Sequence, residues 1–585
     1  MRIVAAGKHD GKFKQSLIRK FGVSGRAAAD LAIGFFTAGL DRRRCAFERR
    51  THGAGVAALI VTVDSDRILV GPLAIAGKVG CAHCAHERLR GAAVGRTVPA
   101  AATKRARVLA QRIVLREVAA IVERGIDESR LRDAVLAIDV RTRSESLHRV
   151  IPLSRCSVCG GAAASSADPI RSLDGWLGPV TGVISDLHIE DAADGAALIV
   201  ATTAPPWIVK DDETLRPLSV GWGKGLTLND AVLSAVGEAI ERYSASLPDP
   251  ARLVWRRARD LEGEILDPRA FPLYSAAQYR RTAFPYRQFN RSIKHPWVLG
   301  RWLAGGGEVW IPAVLAFLSA RIRPEQLIAQ GTSNGLAAST DADDAALRAV
   351  FELVERDAFM SAWMTSTPAR PIMLDDTLEP SLAAVLRGVE QLGASIEIYI
   401  LPTSACGTTV LCLARGDGQN YPGATVALAA DLDPRRALRQ AVLELGQTAP
   451  YLRQLMRSQA IAVPSTPSDV HQMMDHAAYY FPVERASAFD FLRRGRAPMP
   501  LAKVRARKSR RTLAACATLL AAANIRVALI DVTSPDVATG PFRVFRALSP
   551  DLQPISYGYG LERQPVARVR QMGLAADAPP IHPIW

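Results

Sequence analysis

Long apolar runs are missing from this 585-residue chain. The longest, around Leu513 to Ala523, is about half of what a bilayer requires. The opening Met1-Arg-Ile-Val-Ala-Ala-Gly7 breaks off too early for a signal sequence, so the chain is expected in the cytoplasm, with no membrane span. Acidic residues are outnumbered, 57 Asp and Glu against 73 Lys and Arg, for a net charge of +16. That balance keeps nucleic acid open as a partner class. Aromatics are scarce, however, at 6%, and the one dense basic run, Lys503 to Arg511, contains none. The run reads better as a solvated loop, so nucleic acid is not expected. Cysteine is sparse as well. Eight in a reducing compartment point to metal ligands or core residues rather than disulfides. No Walker-type phosphate loop, kinase catalytic loop, flavin motif, coiled coil or solenoid repeat occurs, and Gly7-Lys-His-Asp-Gly11 has the wrong glycine spacing for a dinucleotide fingerprint.

What remains is an ordinary globular composition, 49% hydrophobic and 22% charged, on a chain long enough for two or three cores. Strand-like runs at Arg2–Ala6, Ala57–Val63 and Ala134–Asp139 alternate with helical periods at Gly11–Phe21 and Val108–Glu123. A Gly/Ala/Ser stretch from Gly160 to Ala167 marks a boundary, giving domains 1–165 and 166–585. Strands at Ala197–Thr202 and Val527–Val532 continue the alternation. The fold class expected is α/β, with mixed α+β character.

Two stretches about a hundred residues apart carry nearly the same acidic signature. The first runs Asp230, Ser234, Glu238, Glu241, Arg242, and the second Asp344, Arg348, Glu352, Glu355, Arg356. Offsets of 0, 4, 8, 11 and 12 fall on one side of a helix, so each presents a carboxylate column ending in arginine, backed by Val, Leu, Ile, Ala and Phe. Thr227 with Asp230, and Thr340 with Asp343, resemble capping boxes at the two starts. Facing columns would cage a divalent cation in hard oxygens and offer arginines to phosphate. Gly221-Trp-Gly223-Lys224-Gly225 precedes the first helix, where glycine amides and Lys224 suit phosphate, and Ser333-Asn334-Gly335 stands similarly before the second. A third helix, started by Asp433-Pro434, sets Gln440, Glu444 and Gln447 on one face. One ExxER alone is usually a surface salt-bridge pattern; two with matching caps favour a metal–nucleotide site.

Cys81-Ala-His-Cys84 and Cys156-Ser-Val-Cys159 are two CxxC knuckles, together enough for a closed structural Zn²⁺ site. His83 and His86 are competing ligands, and a redox CxxC is the alternative. Cys45, Cys406, Cys412 and Cys516 read as ordinary residues.

From about Ile184 onward these motifs, in this order, resemble the YcaO family: Ser234-x3-Glu238-x2-Glu241-Arg242, Ser333-Asn-Gly-Leu-Ala337, Glu352-x2-Glu355-Arg356-Asp357 and Ala441-Val-Leu-Glu444-Leu-Gly-Gln447. The resemblance implies ATP and Mg²⁺ bound without a P-loop. Glu238, Glu241, Glu352 and Glu355 would hold the metal and orient the triphosphate, and Ser234, Arg242 and Arg356 would contact nucleotide or support those carboxylates. Lys224, Glu444 and Gln447 would join the same site. Asp344 and Arg348 depart from the family's usual Glu and polar residue. The N-terminal part, through Val70-Gly-Pro-Leu and the two knuckles, is similar to the zinc-bearing half of the ThiF-like partner of azoline-forming cyclodehydratases. It is expected to be a truncated form lacking a leader-peptide clamp, so a separate leader-binding protein is implied. Members of this kind convert Cys, Ser or Thr of a ribosomal precursor peptide to thiazoline or oxazoline at the expense of ATP. Oxidation onward would need an FMN-dependent dehydrogenase, and a homodimer is expected. A proline-bearing tail assists many members; Ile581-His582-Pro583-Ile584-Trp585 keeps the central proline, extending a role in catalysis to His582, Pro583 and Trp585. The alternatives are thioamide or amidine formation by the same chemistry, or a non-catalytic scaffold binding peptide or nucleic acid.

Overall fold

The computed structural model describes all residues except 1–2, 8–10, 22–28, 38–40, 93–100, 155, 161–172, 174, 192–197, 211–213, 320–321, 404–405 and 506–509. The chain divides into two compact units. Unit 1 takes Met1–Leu187, Thr203–Val220 and Ser534–Pro541; unit 2 takes His188–Thr202, Gly221–Thr533 and Phe542–Trp585. Apart from Gly160, the Gly/Ala/Ser stretch read as a boundary lies outside the described residues, as do residues 506–509 of the basic run. Unit 1 runs on to Leu187 and takes in two later segments.

Unit 1 is built on one six-stranded sheet, ordered β1 (Ile3–Gly7), β2 (Leu31–Thr37), β3 (Ala57–Val63), β4 (Arg67–Ala74), β5 (Ala134–Asp139) and β6 (Glu145–Arg149). The first three strands are parallel, joined through helices α1 (Gly11–Phe21) and α2 (Asp41–Gly53); the last three add antiparallel. Covered on both faces, β2 and β3 read as near-continuous apolar runs rather than alternating ones. After α3 (Ala82–Ala92) comes α4 (Lys104–Arg124), which starts where the Thr103 hydroxyl accepts from the Ala106 amide. It lays Ala106, Ala110, Val114, Val118 and Ile121 against Ile33, Leu59 and Val61. A late segment is pinned into this unit by charge. Arg88 on α3 meets Asp536 at 2.8 Å, both buried, and the Ser154 and Ser534 hydroxyls donate to the same carboxylate. Trp176 packs so closely on Gly540 that a Cβ there would fall 2.7 Å from the indole nitrogen.

Unit 2 carries a six-stranded and a five-stranded sheet. The first orders Val254–Arg256, His295–Trp302, Ala528–Asp531, Arg543–Leu548 and Leu336–Ser339, with Glu308–Pro312 paired to His295–Trp302. The second orders Thr425–Asp431, Thr408–Arg415, Ser395–Leu401, Arg370–Met373 and Met499–Pro500. Six elements position the candidate site and are labelled β7 (Trp222–Gly225), α5 (Leu228–Ala245), β8 (Leu336–Ser339), α6 (Ala342–Thr365), α7 (Pro434–Arg457) and β9 (Arg543–Leu548). The mixed α/β architecture agrees with the sequence reading. No helix among the described residues is long and apolar enough to cross a membrane.

The starts of the three helices follow from local chemistry. The Thr227 hydroxyl accepts from the Asp230 amide to open α5, and Asp433 accepts from the Arg435 amide with Pro434 at the first helical position of α7. The expected cap of α6 shifts by one residue. Asp341, not Thr340, accepts from the Asp344 amide at 2.7 Å, because a carboxylate is a better acceptor for an exposed amide dipole than the hydroxyl beside it.

Candidate active site

α5 and α6 both pack on β8, and this shared strand brings their acidic columns side by side. Strand β7 can lie close along α5 because its glycines have no side chains. A Cβ on Gly221 or Gly223 would come within 2.0 Å of the carbonyl oxygens of Ala235 or Ala231. The Gly-Lys-Gly stretch is therefore a strand packed along the helix, not an amide cradle at its mouth. Ser333–Gly335 likewise forms the turn into β8, with Gly335 at φ +80°.

Within the columns, Arg242 Nη1 donates to Glu241 Oε1 at 2.6 Å and Nη2 to Glu238 Oε1 at 3.3 Å. Glu238 Oε2 also accepts from the Trp222 amide at 3.0 Å. On α6, Arg356 donates to Glu355 and lies 4.0 Å from Glu352. Arg546, from β9, is buried beside both columns and donates to the Thr332 carbonyl at 2.7 Å, leaving its Nε without a hydrogen-bond partner. Nothing in the local sequence announced Arg546 except a charge at an inward position of an apolar strand.

Burial dominates the electrostatics. It pushes the Glu241 carboxyl up to about 8; Arg242 opposes this, and the nearby Glu352 and Glu238 carboxylates reinforce it. Glu352 is raised for the same reason, despite Arg356 and Arg242. Burial lowers the Arg546 guanidinium to about 10 against the pull of Glu352 and Glu241. It lowers Lys224 to about 8 against Glu238, with Arg356 adding to the fall. Burial thus holds Glu241 and Glu352 toward the neutral form in spite of the neighbouring arginines, and a divalent ion would add positive charge that favours their ionised form. Among the described residues no three of these carboxylates draw within 4.8 Å of one another; arginines sit between them as counter-ions. The donor set fits a hard cation accompanied by an anionic ligand that takes the arginines.

The third helix joins this group. Lys224 pairs with Glu444 of α7, and Gln447 Nε2 donates to the Gly223 carbonyl at 3.1 Å. Ser234 is exposed one turn before Glu238. Asp344 and Arg348 do not join it. Asp344 accepts from Arg348 at 2.7 Å, from Arg511 at 2.9 Å and from the Ser339 hydroxyl, and Arg511 also holds Asp431 at 2.8 Å. At 1.5 Å per residue Asp344 stands about 12 Å along α6 from Glu352. The tail does approach. His582 Nε2 meets the Ser556 carbonyl at 2.7 Å, its ring stacks on His476 at 4.2 Å, and Trp585 packs on Tyr451 and edge-on to Trp222. Pro583 is buried between them in sequence. Trp222 is the residue whose amide holds Glu238, so the tail braces the strand behind one column.

In unit 1 the four knuckle sulfurs converge. Cys81 lies 3.4 Å from Cys156 and 3.9 Å from Cys84, and Cys84 lies 3.7 Å from Cys159. Four sulfurs on a tetrahedron of 2.3 Å bonds stand about 3.8 Å apart, so the set fits zinc and is far too open for disulfides. The Leu153, Val158 and Cys159 amides donate to these sulfurs, as stabilised thiolates require. His83 faces away, with its Nδ1 3.6 Å from Cys45. Cys45 is thus not as solitary as its sequence context implies.

The family profile described as YcaO cyclodehydratase, ATP- and Mg²⁺-binding, matches residues 222–553. An uncharacterised protein of Mycobacterium tuberculosis is 26% identical over 251 residues, covering 40% of this chain and 52% of the relative. One from Methanothermobacter thermautotrophicus is 25% identical over 234 residues, covering 40% and 57%. The chain spans about half the length of these curated relatives. Two solved structures share the fold: a heterocyclase in complex with substrate and cofactor (TM-score 0.75, 19% identity, 94% of this chain and 80% of that one), and the heterocyclase TruD (0.70, 17%, 99% and 83%). With its carboxylate columns, its arginines and a family profile spanning more than half its length, the chain belongs to the YcaO family.

Proposed function

We propose that this protein is an ATP-dependent peptide heterocyclase, cyclising Cys, Ser or Thr of a ribosomally made precursor to thiazoline or oxazoline. One observation carries the reading: buried Glu241 and half-buried Glu352 lie close to each other, both held toward the neutral form by desolvation, with Arg242, Arg356 and Arg546 beside them. That is the arrangement a magnesium–triphosphate needs, in a family described as binding both. Glu238, Glu241, Glu352 and Glu355 would hold Mg²⁺, which when bound neutralises charge on the transferring phosphoryl group. Arg242, Arg356 and Lys224 would take triphosphate oxygens, with Glu444 and Gln447 fixing Lys224 and its strand. Ser234, exposed one turn before Glu238, would contact nucleotide. Asp344 and Arg348 are assigned instead to bracing the start of α6.

The chemistry follows from the leaving group. A side-chain thiol or hydroxyl adds to the preceding amide carbonyl and loses its proton, and the amide oxygen becomes an oxyanion. That oxygen attacks the γ-phosphorus of ATP, ADP departs, and the amide nitrogen expels phosphate and gives up its proton to solvent, leaving the C=N bond of the azoline. Buried arginines placed beforehand stabilise the charge that develops. The tail residues His582, Pro583 and Trp585 position this site through Trp222. The four cysteines would hold a structural Zn²⁺, supporting the reading of unit 1 as a ThiF-like remnant. A separate leader-binding protein, an FMN-dependent dehydrogenase downstream and a homodimer complete the proposal, with the cytoplasm as its compartment.

Co-expression with a candidate precursor, followed by mass spectrometry, tests it. Each modified residue is expected to lose about 18 Da, the water whose oxygen leaves on phosphate. An oxygen-to-sulfur mass gain would assign thioamide formation instead, and no phosphate release with any precursor would overturn the enzyme reading.

A further inference from the structure

Unit 2 has a concave feature that the nucleotide reading leaves unused. It is a cleft of about 700 Å³ between the segment following Asp267, the turn at Ala523–Ile525 and the short helix Ala567–Met572. Phe271, Tyr274 and Phe289 form an aromatic wall, and Arg269, Arg568 and Arg570 supply positive charge. The one carboxylate on the wall, Asp551, is gripped by both Arg526 Nε and Nη2 at 3.0 and 2.9 Å and so does not offset them. Arg269 is paired along one edge with Asp267. Arg568 spends Nη2 on Asp357, while its buried Nε has no hydrogen-bond partner. Arg570 is exposed and makes no ion pair among the described residues.

The position of the cleft matters as much as its charge. Asp357 directly follows Arg356, and at 100° per residue it points about 160° away from Glu355 around α6. The cleft therefore backs onto the helix that carries one carboxylate column, with Arg568 and Asp357 as the link. Its volume is mid-range for a binding pocket and holds a few residues of extended peptide. Aromatic surface beside Arg570 and the N–H groups that Arg269 and Arg568 leave over from their own carboxylates matches a chain segment that alternates carboxylates with apolar side chains.

We propose that this cleft binds an acidic segment of the peptide substrate, remote from the residue being cyclised. The inference rests on the heterocyclase reading for the identity of its ligand. A substrate that engages both places contributes binding energy from a part that does not react, and lowers KM without touching the phosphoryl chemistry.

The test uses the full-length protein and a fluorescein-labelled peptide of Glu-Phe-Gly repeats, with a Gln-Phe-Gly peptide as the uncharged counterpart. Fluorescence anisotropy is measured for wild type, for the double variant Arg269→Glu/Arg570→Glu, and for Arg457→Glu, an equal kind of charge change at an exposed position on α7. The double variant is expected to bind the Glu peptide about tenfold more weakly or worse, and Arg457→Glu to bind it like wild type. The Gln peptide should bind poorly to all three. Both cleft arginines are exposed, and unchanged thermal midpoints would confirm that folding is intact; Arg269→Gln/Arg570→Gln should give an intermediate loss. Equal affinity in wild type and the double variant overturns the proposal, as does an equal loss in Arg457→Glu. Turnover separates the two readings. Loss of peptide affinity without phosphate release from any precursor sinks the heterocyclase reading and leaves an acidic-peptide cleft. Normal turnover with unchanged affinity sinks the cleft alone.

Discussion

Replacing Glu241 with Gln is expected to make the protein more stable and inactive at once. The folded state holds the Glu241 carboxyl at about 8, against 4.5 for an unperturbed one. At pH 7 the unfolded chain carries this group ionised and the folded chain carries it protonated. Taking up that proton costs about 1.4 kcal/mol per tenfold of equilibrium, or about 3 kcal/mol over the interval from 4.5 to 7. The group is nearly buried, so little of this is screened by solvent. Gln keeps the shape and can still accept from Arg242, but it removes the cost. The sign follows from proton binding. A carboxyl raised on folding contributes stability below its unfolded value and loses it as pH rises through the folded one. Denaturant melts without nucleotide should therefore show wild type and Glu241→Gln nearly equal at pH 4.5. The variant should gain by about 3 kcal/mol at pH 7 and level off above 8. Magnesium and ATP should then stabilise wild type and not the variant, and peptide-dependent phosphate release should fall to background. A variant less stable than wild type at pH 7, or a gain that does not change with pH, would refute the picture of a carboxylate awaiting a cation.

Three further outcomes follow from the geometry. For the proposed four-cysteine zinc site, Cys84→Ser should bring the metal content to zero and confine protease cutting to unit 1, since a closed thiolate site would contribute its binding energy to folding. Asp536→Asn removes the counter-charge of Arg88, which is 4% exposed beside a fully buried partner, and should cost about 3 kcal/mol in chemical denaturation. Arg546→Gln should lower kcat about a hundredfold, because a buried cation between the columns acts on charge that develops during transfer. A drop confined to KM for ATP would show that Arg546 only binds nucleotide.

The parts of the candidate site that were legible in the sequence share one property: they are local. Glu238, Glu241 and Arg242 stand within four positions of one another, and so do Glu352, Glu355 and Arg356, so helical periodicity places each set on one face. The CxxC pairs are equally local, since three positions in a knuckle bring two sulfurs together. Where local signals misled, a neighbour in space was the cause. The glycines around Lys224 look like a phosphate loop, but they are small because α5 passes within contact of their backbone. Asp344 continues the spacing of its column yet is drawn off by Arg511, which arrives from the far end of the basic run and ties it to Asp431.

By itself, then, the sequence determined the helices, most of their caps, their acidic faces and the two thiolate knuckles, because hydrogen bonds and side-chain spacing within a few residues decide those. Tertiary structure decided which faces meet. It set α5 and α6 on one strand, drew Arg546 and Lys224 into the charge cluster, carried Ser534–Pro541 back into unit 1, and placed the tail against Trp222. Those contacts join residues tens to hundreds of positions apart. Their energy comes from burying charge and aromatic surface together, a quantity that no local pattern encodes.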